Sequence, residues 1–275
     1  MKTVITSTDR AGINFSELKR YSGLFKYLSL RDVYIRYKQT WIGFGWSVIR
    51  PLINIIIFGS ISYLIDPSQS FSEKFVMVSA GIVFWQLIST ATTDVSNSLS
   101  GNSNILTKVY FPKLILPFSS LLVCLIDFLI SFILFFIIYL VIKGLPPWQI
   151  VFLPLVIVYG LLFSLGLGLL FATGSVKYRD VKFLLPFLLQ ILFYASPVFI
   201  SSDFILSKGF PEWFKTLYQL NPLLFIMNAF KFCFTGHFES FNLLYAATGM
   251  VITMLLLVIA TRYFFNFEKS FADYI

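Results

Sequence analysis

The stretch Arg31–Pro51, RDVYIRYKQTWIGFGWSVIRP, decides the fold. Its front half is basic and aromatic, with Arg31, Tyr34, Arg36, Tyr37, Lys38 and Trp41. It then passes Gly43 and Gly45 and enters the apolar segment Leu52–Ile65. Cationic side chains stay with lipid headgroups, Tyr and Trp sit at the interface, and aliphatic residues enter the hydrocarbon. The order of residues therefore predicts a helix that reaches a membrane surface, turns and goes in. Asp32 and Arg36 are four apart with the acid first, an expected helical pair. Leu30, Val33, Tyr37 and Trp41 keep helical spacing on another face. An ordinary juxtamembrane anchor has the same pattern.

Composition supports a membrane protein. The chain is 57% hydrophobic and 19% aromatic, and only 12% of its residues are charged, about half of what a soluble domain carries. The net charge of +8 reflects topology rather than nucleic-acid binding, because the basic residues gather in particular loops. Cys124 and Cys233 lie in apolar surroundings and read as packed thiols, not as a disulfide or metal pair. No cleavable signal peptide is expected, since the first 45 residues hold eight Lys/Arg and no apolar core of signal type.

Two regions are expected: a cytoplasmic N-terminal region, 1–45, and a six-span membrane domain, 46–275. Within the first, Phe15, Leu18, Phe25 and Leu28 oppose Lys19, Arg20 and Lys26, an amphipathic helix suited to the headgroup plane or to a partner protein. At about 20 apolar residues per crossing, the spans fall near 46–65, 75–92, 114–142, 150–172, 183–200 and 243–265. Lys and Arg concentrate in the N-terminal region and in the 93–113 and 173–182 loops, so both termini are placed in the cytoplasm. Asp94–Lys113 is a polar, then briefly amphipathic, cytoplasmic connection ended by Pro112. On the outer side, Ser201–Asn242 contains the 12-residue apolar run Leu223–Phe234, too short to span and suited to a re-entrant or interfacial helix.

Inside the spans, Gly160, Ser164, Gly168 and Ala172 form a small-residue stripe for close helix packing. Asp127 is an intramembrane acid sharing a face with Cys124 and Ser131. Such an acid is a functional candidate, and a buried, hydrogen-bonded structural role is equally open. Phe183, Phe187, Gln190 and Tyr194 share a face of the fifth expected span. Aromatic planes with an amide suit sugar faces and hydroxyls; packed or lipid-facing rings are the other reading. The chain has no GxxxxGK[ST] phosphate loop, no HExxH and no paired Cys/His ligands. It therefore offers no ATPase site, catalytic constellation or metal site of its own. A secondary carrier would need several intramembrane charges or broken helices, and apart from Asp127 the spans offer little of this.

Four blocks in order, RDVYIRYKQTWIGFGWSVIRPL, NSNILTKVYFPKLILP, YRDVKFLLPFLLQILFYASPV and FEKSFADYI, resemble the membrane subunit of ABC-2-type polysaccharide exporters. O-antigen and capsule export permeases are nearest, with teichoic-acid permeases as relatives. The resemblance implies an all-α membrane fold with an interfacial helix near Phe15–Leu28 and short periplasmic helices within Ser201–Asn242. It implies a homodimer in the bacterial inner membrane, working with two copies of a separate ATPase that binds ATP and Mg. A cytoplasmic coupling helix near Asn97–Lys108 would meet that ATPase, with Asn97, Asn104, Ile105, Leu106 and Lys108 as contact candidates. The implied substrate is a glycan on a polyprenyl pyrophosphate lipid. Arg31, Arg36 and Lys38 would then meet its headgroup, and Trp41, Phe183, Phe187, Gln190 and Tyr194 would line its path. Export of teichoic acid, or of another lipid or a drug, is the alternative within this class.

Overall fold

The structure, a computed structural model, describes residues 19–38, 45–65, 70–106, 108–178, 180–239 and 242–268. Every regular element among them is helical. Helix α1, Ser22–Lys38, carries the basic front of the opening stretch in one run with the back half of the expected interfacial helix. No proline interrupts these residues, so the helix continues past the Leu28 boundary expected from sequence. Residues 15–18 of the expected interfacial helix, and Trp41, lie outside the described residues.

Among the described residues, five helices are long and apolar enough to cross a membrane. They are α2 (Gly45–Ile65), α3 (Phe71–Asn97), α5 (Ile115–Lys143), α6 (Leu153–Lys177, entered through the 3-10 turn Trp148–Phe152) and α11 (Leu243–Glu268). A four-residue helix α4, Ser103–Leu106, lies between α3 and α5. Helix α3 exceeds its expected bounds at both ends. Ser70 caps it by accepting from the Glu73 amide at 3.3 Å, as in a capping box. At the other end the helix runs to Asn97, so Asp94 is helical and not part of the connecting loop. The expected fifth span, 183–200, is instead a shorter helix α7, Val181–Tyr194, of 14 residues. That length rises about 21 Å, against a hydrocarbon thickness of about 30 Å. Pro197 prevents continuation, and the Val198 amide turns back to Ser196 O at 2.7 Å.

Three short helices follow: α8 (Ser202–Ser207), α9 (Glu212–Gln219) and α10 (Pro222–Thr235). The last contains the apolar run noted in the sequence. Asn221 caps it by accepting from the Leu223 amide at 3.0 Å, and Pro222 opens it, where a missing amide costs nothing. Gly236 closes it at φ 70°, a left-handed conformation suited to glycine. Helix α10 is largely buried and packs on α3, α6 and α11. Phe230 stacks on Phe84 of α3 with ring centroids 4.2 Å apart.

Helix α3 is the centre of the bundle, packed against α2, α5, α6 and α10. The small-residue stripe of α6 faces it. A Cβ at Gly160 would stand 2.9 Å from the Phe84 ring, and one at Gly168 would stand 2.6 Å from Val95 Cγ1. The Ser164 hydroxyl donates to Ile88 O at 3.3 Å. Such close approach lets dispersion forces hold helices together where lipid removes the hydrophobic drive. The helices alternate between two ends. One, the basic end, holds the 98–114 and 177–181 connections and the end of α11, where Lys113 Nζ donates to Glu268 O at 2.5 Å. At the opposite end, Lys143 pairs with Glu73 at 3.0 Å.

Candidate intramembrane charge cluster and pathway surfaces

Arg36 of α1 reaches between two spans. Its Nη2 donates to Asp94 Oδ2 of α3, and its Nη1 donates to Asp127 Oδ2 of α5. Tyr37 follows it on α1 and donates its hydroxyl to Asp127 Oδ1. The Cys124 thiol, one turn before Asp127, donates to Asp94 Oδ2 at 3.0 Å. Ser131, one turn after, donates to the Asp127 carbonyl at 3.2 Å. These groups border a cavity of about 340 Å³ whose wall also includes Gln86, Thr90 and Arg50. Gln86, Thr90 and Asp94 are spaced four apart and make one polar stripe of α3.

The electrostatics follow from this placement. Burial opposes the Arg36 charge, and Asp94 and then Asp127 more than offset it, holding the guanidinium pKa above its ordinary value. The two carboxylates in turn share this one cation. The arrangement is suited to holding α1 against α3 and α5 and to presenting polar groups within the bundle; it contains no activated nucleophile. Arg50 is exposed at the rim, its guanidinium 5.6 Å from the Trp46 ring centroid.

The three proposed headgroup residues differ in their surroundings. Arg36 belongs to the cluster, so the expected Asp32–Arg36 helical pair is not made. Asp32 instead accepts from its neighbour Arg31 at 2.6 Å. Arg31 also donates to Asn102 Oδ1 at 2.7 Å, joining α1 to the connection that follows α3. Lys38 is exposed, with its ammonium 4.5 Å from the Tyr34 ring centroid. Sequence spacing pointed to the i,i+4 pair; the competing partners are 58 and 91 positions away.

The expected coupling segment is not one helix. Asn97 ends α3, a 3-10 turn covers Ser100–Asn102, and α4 follows. Ile105 and Leu106 pack their side chains against the core, while Asn97, Asn104 and Lys108 are exposed. The expected pathway face of α7 is open: Phe183, Phe187 and Tyr194 are 79%, 63% and 60% exposed, and Gln190 is exposed among them. Leu185 and Leu189 supply the buried side of the same helix. Among the described residues, no group of three or more His, Cys, Asp or Glu side chains is placed to hold a metal ion.

Sequence reasoning singled out Arg36 and Asp127 but missed Asp94, the second carboxylate on Arg36. Its signal was the Gln86–Thr90–Asp94 stripe, hidden by ending the span at residue 92. Lys231 and Glu239 were missed too: both are buried at the opposite end, although each had the appearance of a loop charge.

The profile of one family, described as ABC-2 type transporter, matches residues 23–235. An O-antigen export system permease protein, RfbA, of Myxococcus xanthus is 26% identical over 221 residues, covering 80% of this chain and 84% of the relative. An RfbA of the same description from Klebsiella pneumoniae is 26% identical over 247 residues, covering 87% and 91%. A second Klebsiella pneumoniae RfbA is 25% identical over the same length and coverage.

Proposed function

The chain belongs to the ABC-2 type transporter family, and from that premise we propose that it is the membrane subunit of an ATP-driven exporter of lipid-linked, O-antigen-like polysaccharide. The observation that carries this is its similarity, over 80–87% of its length, to O-antigen export permeases. The five long apolar helices support the role. ATP and Mg are assigned to a separate ATPase, with two copies of each subunit in the complex. The basic end faces the cytoplasm in a bacterial inner membrane, in keeping with its Lys and Arg.

A polysaccharide cannot cross about 30 Å of hydrocarbon unaided, because each unpaired hydroxyl there costs several kcal/mol. The exposed aromatic face of α7, with Gln190 within it, supports a wall on which sugar rings slide. Of the three basic residues assigned to the pyrophosphate headgroup, Lys38 is the exposed one, with Arg31 behind it. Arg36 holds α1 in place instead of meeting the lipid directly. Asn97, Asn104 and Lys108 form the surface offered to the ATPase, and Ile105 and Leu106 anchor that surface to the bundle.

Depletion of the protein, followed by mass spectrometry of lipid-linked glycans, tests the proposal. Undecorated cells with glycan-bearing polyprenyl pyrophosphate accumulated in the cytoplasmic leaflet are expected. Accumulation of a polyol-phosphate polymer would redirect the substrate to teichoic acid, and an unchanged glycan pool would overturn export.

A further inference from the structure

Helix α1 packs on α5, and beside that contact lies a cavity of about 390 Å³. Phe25 of α1, Ile115, Phe118, Leu122 and Leu125 of α5, and Leu161 of α6 line it. Ser22 is the one polar residue of its wall among the described residues. The cavity is separate from the Arg36 cluster, since no described residue borders both.

Its wall positions on α5 run from Ile115, the first residue of that helix at the basic end, to Leu125. That is a rise of about 15 Å, half of the roughly 30 Å of hydrocarbon in a bilayer, and so the depth of one leaflet. A slot of this volume over this length is much narrower than a helix, which is about 10–12 Å across. A single flexible apolar chain fits it, and a partner helix does not. Phe118 and Leu122 remain exposed, so such a chain can enter from the surrounding hydrocarbon. The neighbouring turns of α1 add charge. Lys26 stands one turn beyond Ser22 on the same face, and Lys19 and Arg20 precede it. All three are exposed. Cations beside an apolar slot of leaflet depth match a phosphate headgroup that carries a hydrocarbon chain.

We propose that this cavity holds one acyl chain of an anionic phospholipid from the leaflet at the basic end, with the lipid phosphate against Lys26. A bilayer lipid is chosen over a polyprenyl carrier because the slot is one leaflet deep and a polyprenyl tail is longer. The inference needs a membrane around the chain and does not depend on the export reading.

The test uses the permease in nanodiscs of equal parts phosphatidylethanolamine and phosphatidylglycerol. Each lipid in turn carries a photoactivatable diazirine at mid-chain, and adducts are mapped by peptide mass spectrometry. Adducts at Phe118, Leu122 and Leu125 are expected to favour the phosphatidylglycerol probe about tenfold. Those at Leu255 and Val258 of α11, which are exposed elsewhere, should follow the lipid ratio. Lys26→Gln should lower the excess about fivefold, the worth of one cation at an anionic surface. Leu122→Trp fills the slot from an exposed position and should remove the adducts at Phe118 and Leu125 with an unchanged unfolding temperature. An absence of adducts at the slot, equal yields there from the two probes, or a pattern that survives either variant would overturn the proposal. Displacement of the phosphatidylglycerol adducts by equimolar polyprenyl phosphate would also overturn it, giving the slot to that carrier.

Discussion

Arg36 and Glu239 are both charged residues held within an apolar bundle, and their partners differ in kind. Arg36 has a carboxylate on either side from two different helices, and Tyr37 and Cys124 supply further donors to those carboxylates. Glu239 has one oxygen held by Ser202 and the other without a donor among the described residues. The first set of groups closes on itself and joins helices far apart in sequence. The second leaves one carboxylate oxygen without a donor among the described residues. A saturated cluster is suited to fixing geometry, whereas a half-satisfied one contributes less to it.

That contrast can be broken most directly at Arg36. Arg36→Met leaves Asp94 and Asp127 facing each other without their cation. A loss on the order of 2–3 kcal/mol is expected, below the roughly 3–5 kcal/mol for breaking a fully buried ion pair because the cluster is only partly buried. Chemical unfolding in detergent measures it. Adding Asp94→Asn and Asp127→Asn should recover more than half; a single variant as stable as wild type would mean the cluster fixes nothing. Next in size is Asn228→Ala, which withdraws the donors to Ser202 Oγ and Glu239 O at the opposite end and should cost about 1–2 kcal/mol. Glu239→Gln should cost less than Asn228→Ala in the same measurement, because its lost oxygen has no protein partner among the described residues. A Glu239→Gln penalty equal to that of Arg36→Met would erase the distinction between the two regions.

Smaller effects sharpen it. Arg31→Ala removes the bond to Asn102 and should cost about 1 kcal/mol, with ATP hydrolysed per exported glycan rising; an unchanged ratio would separate α1 from coupling. Charges placed at Ile105 and Leu106 should raise the same ratio further by unseating the segment, while membrane insertion stays normal. The smallest stability change belongs to Phe187→Ala, under about 0.5 kcal/mol because the ring is mostly exposed. Export per assembled complex should nevertheless fall. Normal export would return that face to lipid.

The membrane class, five of the six expected crossing segments and the packing stripe were legible because they depend on local composition and on helical spacing. Gly160, Ser164 and Gly168 could be assigned to a contact before its partner was known, since small side chains have few other reasons to recur every four residues. The Arg36 cluster was half legible: an acid inside a span stands out, but its cation comes from a helix 91 positions earlier. A favourable local partner for Arg36, Asp32, concealed the distant ones. Glu239 gave no signal, since it stands beside turn residues, where charge is ordinary. Lys231 lies within the apolar run Leu223–Phe234, and the folding of α10 into the bundle buries it.

The shortness of α7 has a mechanical consequence. The turn that ends it rests on α3 so closely that a Cβ at Gly81 would stand 2.1 Å from the Val198 carbonyl oxygen. Backbone lies on backbone there, with no layer of adjustable rotamers between them. Such a contact behaves as a bearing: it permits tilting about the point of support and resists sliding across it. A tilt of α7 would therefore move Tyr194 little and Val181 most, so the aromatic face would fan open from the basic end upward, with residue 198 as its pivot.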